Sequence, residues 1–558
     1  MYRLIFICIS FLGVTFLNAQ NTIGLLSYNP EKALDGYLLL YPQNQGTAFL
    51  INNCGEVVHK WIDDLTGPSN CASLQEDGSI FMAKIDYNYT NPWIFAGGAG
   101  QKIEHRDWDN QLLWTFQYAD SMKRIHHNFT VLPNGNVVLI AWERKDINSC
   151  LAVGKDTSMM VDEELWPDHL VEIQPIGLDS GLVVWEWHAW DHLIQDVDPL
   201  KPNYGIIADH PERININYTN NNNNADWIHF NSIDYNPVLD QLIVSSPTLN
   251  EVWIIDHSTT TSEAASQTGG NSGKGGDLIY RWGNPQAYNR GTNLDRKLGF
   301  QHDIHWTDLE LPNGHPDKGK LMVFNNNYQQ NVSAANTFQP VFDTINQTYQ
   351  MQNNVYLPLD FDYTYTAPVA SDIYCAVVSS AQRLSNGNTL ICSGRKGYSR
   401  EVDSLGTIVW EYKTPINNSV PVAQGTIIPI SGNFTFRTKK YSAEFPGFIG
   451  KNLSSIGFIE LNPDTTFCPS LLSLDINQLS SFSFFPNPTN KFISVKGIPE
   501  NFKGTLSIFS ITGTELMKIP FNFKETQVIN LEDFESGCYF IQFENESGQK
   551  ISKQVVKK

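Results

Sequence analysis

Ser379–Pro415 reads SSAQRLSNGNTLICSGRKGYSREVDSLGTIVWEYKTP, and this stretch predicts the fold of most of the chain. Its short apolar runs are separated by tight turns, and the last run includes Trp410. The pair Asn386-Gly387 predicts a primed hairpin turn, because both residue types tolerate a positive φ. A related stretch, HNFTVLPNGNVVLIAW, runs from His127 to Trp142. The sequence therefore predicts repeated units of antiparallel strands.

Six copies of this pattern can be traced, spaced roughly 40–75 residues apart, which is within the range of known repeat proteins. The copies are Gly36–Trp61, Cys71–Trp114, His126–Trp187, Asp226–Trp282, a unit that starts at Gln301, and Ser379–Pro415. Short strands, glycine turns and a recurring Trp are typical of propeller blades. The predicted fold is all-β, a six-bladed β-propeller followed by a small C-terminal antiparallel β-sandwich.

The domain boundaries follow from changes in composition. Arg3 and the apolar run Leu4–Leu17 before Ala19 predict a signal peptide. The expected order is a signal peptide at 1–19, an N-terminal segment at 20–35, the propeller at 36–466, a linker at 467–480 and the sandwich at 481–558. The protein is therefore expected to be exported, without an integral membrane span.

The charge balance is acidic, with 38 Lys+Arg against 58 Asp+Glu and a net charge of −20. This balance argues against nucleic acid as a partner, because phosphate binding needs clustered cations. No Cys-x-x-Cys pair occurs among the eight cysteines, which argues against a zinc site. Cys54 and Cys71 are the best candidates for a disulfide in an oxidising compartment.

Three histidines fall at equivalent positions of the repeat. Aligning HNFTV, HFNSI and HDIHW places His127, His229 and His302 in one column, and Ser379 occupies the same position in the last copy. Each histidine opens a strand interpreted as the innermost of its blade. Because innermost strands end at the channel mouth, we expect the three imidazoles to lie close together. Histidine can act as an acid, base, nucleophile or ligand near neutral pH.

Two neighbours of the column are weaker candidates. Strand alternation predicts that His126 points away from His127, and a three-residue step points His305 away from His302. The column itself has two interpretations. Three imidazoles could bind a metal such as zinc or copper, or they could hold a small anion such as sulfate or a phosphate ester.

The C-terminal unit carries a family resemblance. Its motifs are Phe485-Pro486-Asn487-Pro488, a hairpin at Gly513, Gly537-Cys538-Tyr539 and a basic last strand. Residues 481–558 resemble the C-terminal sorting domain of the type IX secretion system of Bacteroidetes. The resemblance implies a secreted or cell-surface product whose tail is a partner of the type IX secretion machinery. The alternative is a generic carbohydrate-binding sandwich.

The propeller region carries a second resemblance. Its residues are Leu50-Ile51-Asn52-Asn53 with Gly55 and Trp61, Asp226–Ser232, Gln301-His302-Asp303 and Leu384–Thr389. The region from Gly36 to about Pro415 resembles the bacterial arylsulfotransferase family of exported six-bladed propellers. The resemblance implies transfer of a sulfuryl group from an aryl sulfate ester to a phenolic acceptor, without a nucleotide donor or other cofactor. It matches His229 and His302 to active-site histidines that stabilise sulfuryl oxygens and transfer protons.

The chain departs from that family at two positions. The family nucleophile aligns with Ser379, and no histidine follows His315. Asn327 stands near the place of the family arginine. The predicted catalytic set is His229, His302 and His127. Three interpretations of the departures stay open: another histidine such as His127 serves as nucleophile, the chemistry differs, or activity is lost. The predicted substrate-binding set is Arg395, Arg144 and Ser379, and no metal site is assigned.

Two other functions remain open from the residues alone. One is a non-catalytic propeller that binds a ligand or glycan. The other is a metal-dependent hydrolase or lyase that uses the same histidines. The fold cannot separate them from a transferase, because propellers host both binding and catalysis.

Overall fold

The structure is a computed structural model that divides into two compact units, residues 1–465 and 466–558. It describes residues 21–43, 45–63, 66–86, 93–219, 224–307, 311–465, 468, 483–496, 503–511, 513–522, 527–545 and 550–558. The predicted signal peptide at 1–19 and nearly all of the predicted linker lie outside the described residues.

The first unit consists mainly of antiparallel sheets, each a series of neighbouring strands. The described residues of the first unit contain six sheets of four or five strands, numbered here in chain order of their first strands. Sheet 1 comprises Gly67–Leu74, Ile80–Ile85, Lys102–Arg106 and Leu112–Gln117; sheet 2 comprises Lys123–Val131, Val137–Glu143, Asp168–Ile176 and Ser180–His188. Sheet 3 comprises Ser232–Asn236, Gln241–Ser246, Glu251–Asp256 and Tyr280–Trp282; sheet 4 comprises His302–Trp306, Leu321–Gln329, Val332–Phe338 and Tyr363–Tyr365. Sheet 5 comprises Ser380–Arg383, Thr389–Ser393, Tyr398–Val402, Ile408–Lys413 and Gly24–Tyr28; sheet 6 comprises Thr435–Ser442, Gly36–Pro42, Ala48–Asn52 and Val57–Trp61.

The first strands of these sheets surround a common axis. Each contacts the first strand of the next sheet, and the first strand of sheet 6 contacts that of sheet 1. A closed cycle of this kind, with further strands stepping outward, is the architecture of a β-propeller. The predicted all-β propeller is confirmed.

Both ends of the propeller sequence contribute to its closure. Thr435–Ser442 pairs with Gly36–Pro42, so one sheet combines C-terminal and N-terminal strands. Gly24–Tyr28 pairs with Ile408–Lys413 as the outermost strand of sheet 5. The prediction that 20–35 is a segment outside the propeller is therefore wrong. Backbone hydrogen bonds between the first and last parts of the propeller sequence hold the ring closed.

The recurring Trp residues join neighbouring sheets. The indole N–H of Trp61 donates to Asp107 O at 3.0 Å, and that of Trp410 donates to Asn53 O at 2.8 Å. Trp114, Trp187 and Trp282 make the same kind of bond, to Ser180, Gly276 and Pro358 respectively. Each indole thus fills the core between two sheets and satisfies its one polar atom there.

The tight turns differ from the predicted type. Gly387 has φ 88°, and Asn386 is not among the residues with positive φ. The N–H of Gly387 donates to Leu384 O, and that of Leu384 donates to Asn388 O, both at 2.9 Å. Only one residue needs the left-handed region, so the turn is a longer one with glycine in that position rather than a primed two-residue turn.

Short elements complete the first unit. The α-helices are Ile147–Ala152 and Thr261–Ala264. The 3-10 helices are Thr157–Met159, Ala189–His192, Ile207–Asp209, Pro285–Tyr288, Ala370–Asp372, Gly394–Lys396 and Pro446–Phe448. Two-residue strands lie at Lys145–Asp146, Glu164–Leu165, Leu193–Ile194, Ile214–Asn215, Phe342–Asp343, Thr348–Tyr349, Met351–Gln352, Val355–Tyr356, Ile416–Asn417 and Val420–Pro421.

The second unit is a small antiparallel sandwich, as predicted. One sheet contains Ser483–Phe485, Phe492–Lys496 and Gln527–Asn530. The other contains Glu515–Asn522, Lys503–Ser510, Gly537–Asn545 and Lys550–Lys557. Apolar side chains such as Ile493, Leu506 and Ile541 form a core of its own.

The cysteines correct one expectation. Cys54 is disulfide-bonded, whereas Cys71 is a free buried thiol. Cys71 Sγ lies 3.0 Å from Asn128 Oδ1 inside the propeller. The predicted pairing of Cys54 with Cys71 is therefore wrong. Within the part of the chain that the structure describes, no helix has the length and apolar character needed to cross a bilayer.

Candidate active site

The three histidines of the predicted column interact with one another: His127 lies within the first strand of sheet 2, His302 opens that of sheet 4, and His229 precedes that of sheet 3. The ring centroids of His127 and His229 are 4.5 Å apart. Phe436 lies against this group from sheet 6, with its ring centroid 5.7 Å from that of His127 and 6.1 Å from that of His302. The predicted convergence of the imidazoles is therefore observed.

An unusual backbone conformation recurs at these positions. φ is 50° at His127, 57° at His229 and 86° at Ser379. Residues other than glycine seldom adopt positive φ, and the strain is retained where the surrounding structure fixes it. In sheet 2 the strand register shifts near this position, between Leu139 and Ala141 of the paired strand. At this irregularity the side chain of His127 lies beside those of His126 and His229.

His229 is held by a carboxylate. Its Nδ1 lies 2.5 Å from Asp226 Oδ2, which fixes a proton on Nδ1. Nε2 has no hydrogen-bond partner among the described residues, and the side chain is 14% exposed. Burial lowers the pKa of His229, but the Asp226 carboxylate outweighs this effect and the pKa is raised above 6.5. His229 therefore presents a basic nitrogen with a free lone pair when it is neutral.

His127 belongs to a longer chain of polar contacts. Its Nδ1 lies 2.9 Å from Nδ1 of His126, and His126 Nε2 lies 2.8 Å from Asp168 Oδ1. The ring of His126 stacks on Trp142 with centroids 3.8 Å apart. The prediction that His126 points away from His127 is wrong, because the positive φ of His127 breaks the alternation of the strand.

Burial controls the ionisation of this chain. The pKa values of His126 and His127 fall well below 6.5, because burial disfavours the charged rings and His229 adds repulsion. The pKa of Asp168 is raised well above 3.8 by burial and by the nearby Asp226. A proton added to this chain is therefore favoured at the carboxyl end rather than as a second proton on an imidazole.

His302 has a different environment. Its Nε2 accepts the N–H of Val378 at 3.1 Å, and its Nδ1 lies 2.8 Å from Asn326 Oδ1 and 3.0 Å from Phe300 O. Burial lowers its pKa to about 3. Both ring nitrogens are used inside the protein, so the neutral ring supports the backbone before Ser379.

The predicted substrate-binding residues are dispersed. Ser379 is buried, and its Oγ accepts the N–H of Gly394 at 3.0 Å. Arg395 Nε donates to Ser431 Oγ at 3.3 Å. Arg144 pairs with Glu164. Among the described residues, neither arginine contacts one of the three histidines, so the structure does not bring the predicted substrate-binding set together.

The segment 93–100 approaches the cluster at Gly97 and Gly98 and carries two exposed aromatic side chains. Trp93 and Phe95 are 60% and 63% exposed. The Arg144 guanidinium lies 5.3 Å from the Trp93 ring, and the Arg124 guanidinium lies 5.4 Å from the Phe95 ring. The segment reaches the imidazoles at Gly98, where a Cβ would fall 2.2 Å from Cε1 of His127. Only glycine allows this approach, and it places the segment directly over His127.

Sequence reasoning missed three charged residues here. Asp226 stands three residues before His229, a spacing that could have indicated a carboxylate partner. Asp168 is distant in sequence from His126 and gave no signal. Arg437 follows Phe436, and its Nε lies 2.6 Å from Asp303 Oδ1.

A cavity of about 290 Å³, separate from the histidine cluster, lies farther along the propeller strands. Asp234, Asp303, His305 and Arg437 line it. His305 thus faces a different space from His302, as predicted. Among the described residues, no group of three or more His, Cys, Asp or Glu side chains is arranged to hold a metal ion.

The fold and the site define a propeller in which imidazoles and carboxylates from separate sheets meet in one buried cluster. The family model for arylsulfotransferase (ASST) matches residues 37–427, and the chain belongs to this family. Membership supports an enzyme of the sulfuryl-transfer type in general. A model described as a secretion system C-terminal sorting domain matches residues 483–558. This tail implies the type IX secretion machinery as a partner and a secreted or cell-surface location.

Sequence identity to other known proteins is low. No curated sequence matches. A Bacteroides caccae protein of unknown function is 12% identical, with a TM-score of 0.38, and the match covers 73% of this chain and 98% of that one. A putative 6-phosphogluconolactonase from Bacteroides fragilis is 11% identical, with a TM-score of 0.34 and coverage of 74% and 100%. A periplasmic gluconolactonase from Pseudomonas aeruginosa is 9% identical, with a TM-score of 0.31 and coverage of 68% and 96%.

Proposed function

We propose that this protein transfers a sulfuryl group from an aryl sulfate ester to a phenol, through a covalent intermediate on His229 Nε2. The observation that carries the proposal is the pairing of His229 with Asp226, which leaves Nε2 without a partner beside a second imidazole. An imidazole oriented by a carboxylate is a recurring form of activated base or nucleophile. The family nucleophile expected at Ser379 is thereby replaced from another sheet.

In the first half of the reaction, His229 Nε2 attacks the sulfur of the donor. The S–O bond to the aryl group breaks, and its electron pair leaves with the phenolate oxygen. Asp226 keeps the proton on Nδ1 and stabilises the positive charge that develops on the ring. His127, with its centroid 4.5 Å away, is the nearest second imidazole and is placed to interact with the leaving oxygen.

In the second half, the acceptor phenol gives up its proton and its oxygen attacks the same sulfur, and the released phenolate of the first half takes up one proton, so the protons balance over the cycle. An O–S bond forms, the N–S bond breaks, and its electron pair returns to His229 Nε2. Two successive displacements at one nitrogen require ping-pong kinetics. Trp93 and Phe95 offer exposed aromatic faces beside the cluster, on which the aryl groups of donor and acceptor would stack.

We assign His302 a positioning role instead of the proton transfer implied by the resemblance. Nε2 of His302 accepts the N–H of Val378, and Nδ1 donates to Asn326 Oδ1. The ring therefore has no lone pair or free N–H for substrate. Its effect on the reaction is exerted through the backbone that it supports.

The proposal is tested with a chromogenic aryl sulfate, with and without added phenol. We expect product release to depend on the phenol, and we expect His229→Ala to lower the rate by on the order of 10³-fold or more. His210→Ala is the matched control, because His210 is exposed and bonds only to Glu212.

The covalent step has its own readout. Mass spectrometry after rapid quenching with donor alone should place the added SO3 on the peptide that contains His229. Equal cleavage in water without phenol would indicate a hydrolase. An unmodified His229 in an active enzyme would refute the assigned nucleophile.

A further inference from the structure

We propose that residues 95–98 form a flap that opens to admit substrate to His127 and His229 and closes to keep water away from the sulfated imidazole. The proposal rests on the proposed sulfuryl transfer for its chemistry, but the motion of the flap can be tested without activity. The flap reads Phe95-Ala96-Gly97-Gly98 and lies between the second and third strands of sheet 1.

The flap covers the imidazole of His127. Gly98 has φ 80°, and an ideal Cβ built on it would fall 2.2 Å from Cε1, 2.3 Å from Nδ1 and 2.4 Å from Nε2 of that ring. A point in the ring plane beyond Cε1 would lie much farther from both nitrogens, so the backbone of Gly98 lies over the face of the ring. His127 is only 4% exposed. A substrate therefore reaches this imidazole only when the flap moves.

The flap also lies beside His229. An ideal Cβ on Gly97 would fall 3.9 Å from Cε1 of His229, and this carbon is bonded to Nε2, the proposed nucleophile. The His229 side chain is 14% exposed. Attack requires the sulfur of the donor about 3–3.5 Å from Nε2, with the aryl oxygen in line behind it. We therefore expect the glycines to move aside when a donor enters.

The flap lies between two buried anchors. Its own four residues are half-buried or exposed, whereas Ile94, Ala99 and Gly100 are buried. The buried Arg124, from the first strand of sheet 2, donates from Nε to Gly100 O at 2.7 Å and from Nη1 to Ile94 O at 2.9 Å. Because one guanidinium binds the backbone on both sides of the flap, motion is limited to the four residues between the anchors.

The flap itself is weakly attached. Among the described contacts of residues 95–98, one hydrogen bond reaches sheet 2, from the N–H of His127 to Gly98 O at 2.8 Å. The neighbouring bond, from the N–H of Gly100 to Ile125 O at 2.8 Å, belongs to an anchor. Two of the four flap residues are glycines, which add no side-chain contacts and have wide backbone freedom. Segments with few buried contacts open at a lower cost than the strands around them.

Closure of the flap has a chemical use. In the proposed transfer, the sulfated His229 must survive until a phenol arrives. Water that reached it would break the N–S bond and give sulfate, two protons and the free imidazole, so the sulfuryl group would not reach the acceptor. Lids that exclude water protect reactive intermediates in this way. Phe95, which is 63% exposed on the flap, offers an aromatic face to the incoming phenol.

The first experiment measures amide hydrogen exchange in the full-length protein, by mass spectrometry with residue-level fragmentation. The amides of His127 and Gly100 make neighbouring hydrogen bonds of equal length, but only His127 has its acceptor on the flap. After correction for intrinsic rates, we expect the His127 amide to exchange on the order of 10²-fold faster, because local opening is sufficient to expose it. Equal exchange of the two amides would overturn a flap that moves independently of its anchors.

The second experiment uses Gly98→Ala, whose methyl group would meet the His127 ring at a positive φ that disfavours alanine. We expect the variant to hold the flap open, so that the His127 amide exchanges faster. With an aryl sulfate and a phenol, the ratio of transfer to hydrolysis should fall on the order of 10-fold or more, because water gains access to the intermediate. Gly135→Ala is the matched control, since Gly135 has φ 86° and no described heavy atom within 4 Å of its Cβ position.

The two experiments fail separately from the proposed function. A wild type that cleaves the donor equally with and without phenol would refute sulfuryl transfer, while hydrogen exchange would still decide the motion of the flap. A ratio in Gly98→Ala equal to that of the wild type would overturn the exclusion of water by the flap. If Gly98→Ala does not fold, the comparison of the His127 and Gly100 amides in the wild type alone decides whether the flap opens.

Discussion

His229 and His302 occupy one column of the repeat, yet they have opposite environments. His229 has one nitrogen on Asp226 and the other without a partner in the described part of the chain, whereas both nitrogens of His302 are bonded inside the protein. Their pKa values move in opposite directions: that of His229 is raised by Asp226, and burial lowers that of His302 to about 3. An equivalent position in a repeat therefore does not give an equivalent role, because the hydrogen-bond partners of each ring decide it.

The largest expected difference between the two histidines is in how much their replacement lowers the free energy of unfolding. His302→Ala leaves the buried Val378 N–H and the Asn326 Oδ1 without their partner, so we expect a loss of about 2–5 kcal/mol in the free energy of unfolding. His229→Ala should cost about 1 kcal/mol, since its Nε2 bonds nothing. Denaturant unfolding of both variants measures the difference. Equal losses would contradict the assigned division between support and chemistry.

A second effect concerns the pH dependence of stability. The folded pKa of His302, about 3, lies below its unfolded value of 6.5, so its contribution is present above pH 6.5 and is lost as pH falls toward 3. His302→Gln should reduce the slope of stability against pH in that window by about 1 kcal/mol per unit.

The same measurement on His229 should give the opposite sign. Its pKa is raised, so its contribution is complete below pH 6.5 and is lost as pH rises through the raised value. Unfolding of His229→Gln followed from pH 6.5 upward, through the raised pKa, checks this. Slopes of equal sign for the two variants would show that the environments do not differ as described.

The smallest effect is a displacement of the pH–rate profile. His229 must be neutral to attack, so kcat/KM should rise with pH through a pKa above 6.5. Asp226→Asn removes the charge that raises this pKa, and the rising limb should move to lower pH. Initial rates at low donor concentration across the pH range measure the shift. An unmoved limb would assign the ionisation to another group.

Much of the fold was predictable because it depends on patterns within short segments of the sequence. Apolar runs, glycine turns and a recurring Trp predicted the propeller sheets, and the Trp residues proved to donate to backbone carbonyls of the next sheet. The turn at Gly387 was predicted in place but not in type. The strand Gly24–Tyr28 was missed, because its partner Ile408–Lys413 is distant in sequence.

The site was predictable only in part. The column of His127, His229 and His302 did converge, because innermost strands share one axis. The contact between His126 and His127 was not predicted, since strand alternation places His126 on the opposite side of the strand from His127. The positive φ of His127 reverses that expectation, and no pattern in the sequence indicates it.

The sequence by itself determined the repeat, the exported tail and the family, because these depend on residue order within short segments. The tertiary structure decided which imidazole keeps a free nitrogen, since strand pairing brings Asn326 to His302, and packing of the segment before sheet 5 brings the Val378 N–H to the same ring. Hydrogen-bond partners and burial fix the chemistry of a histidine, and both are properties of the assembled propeller.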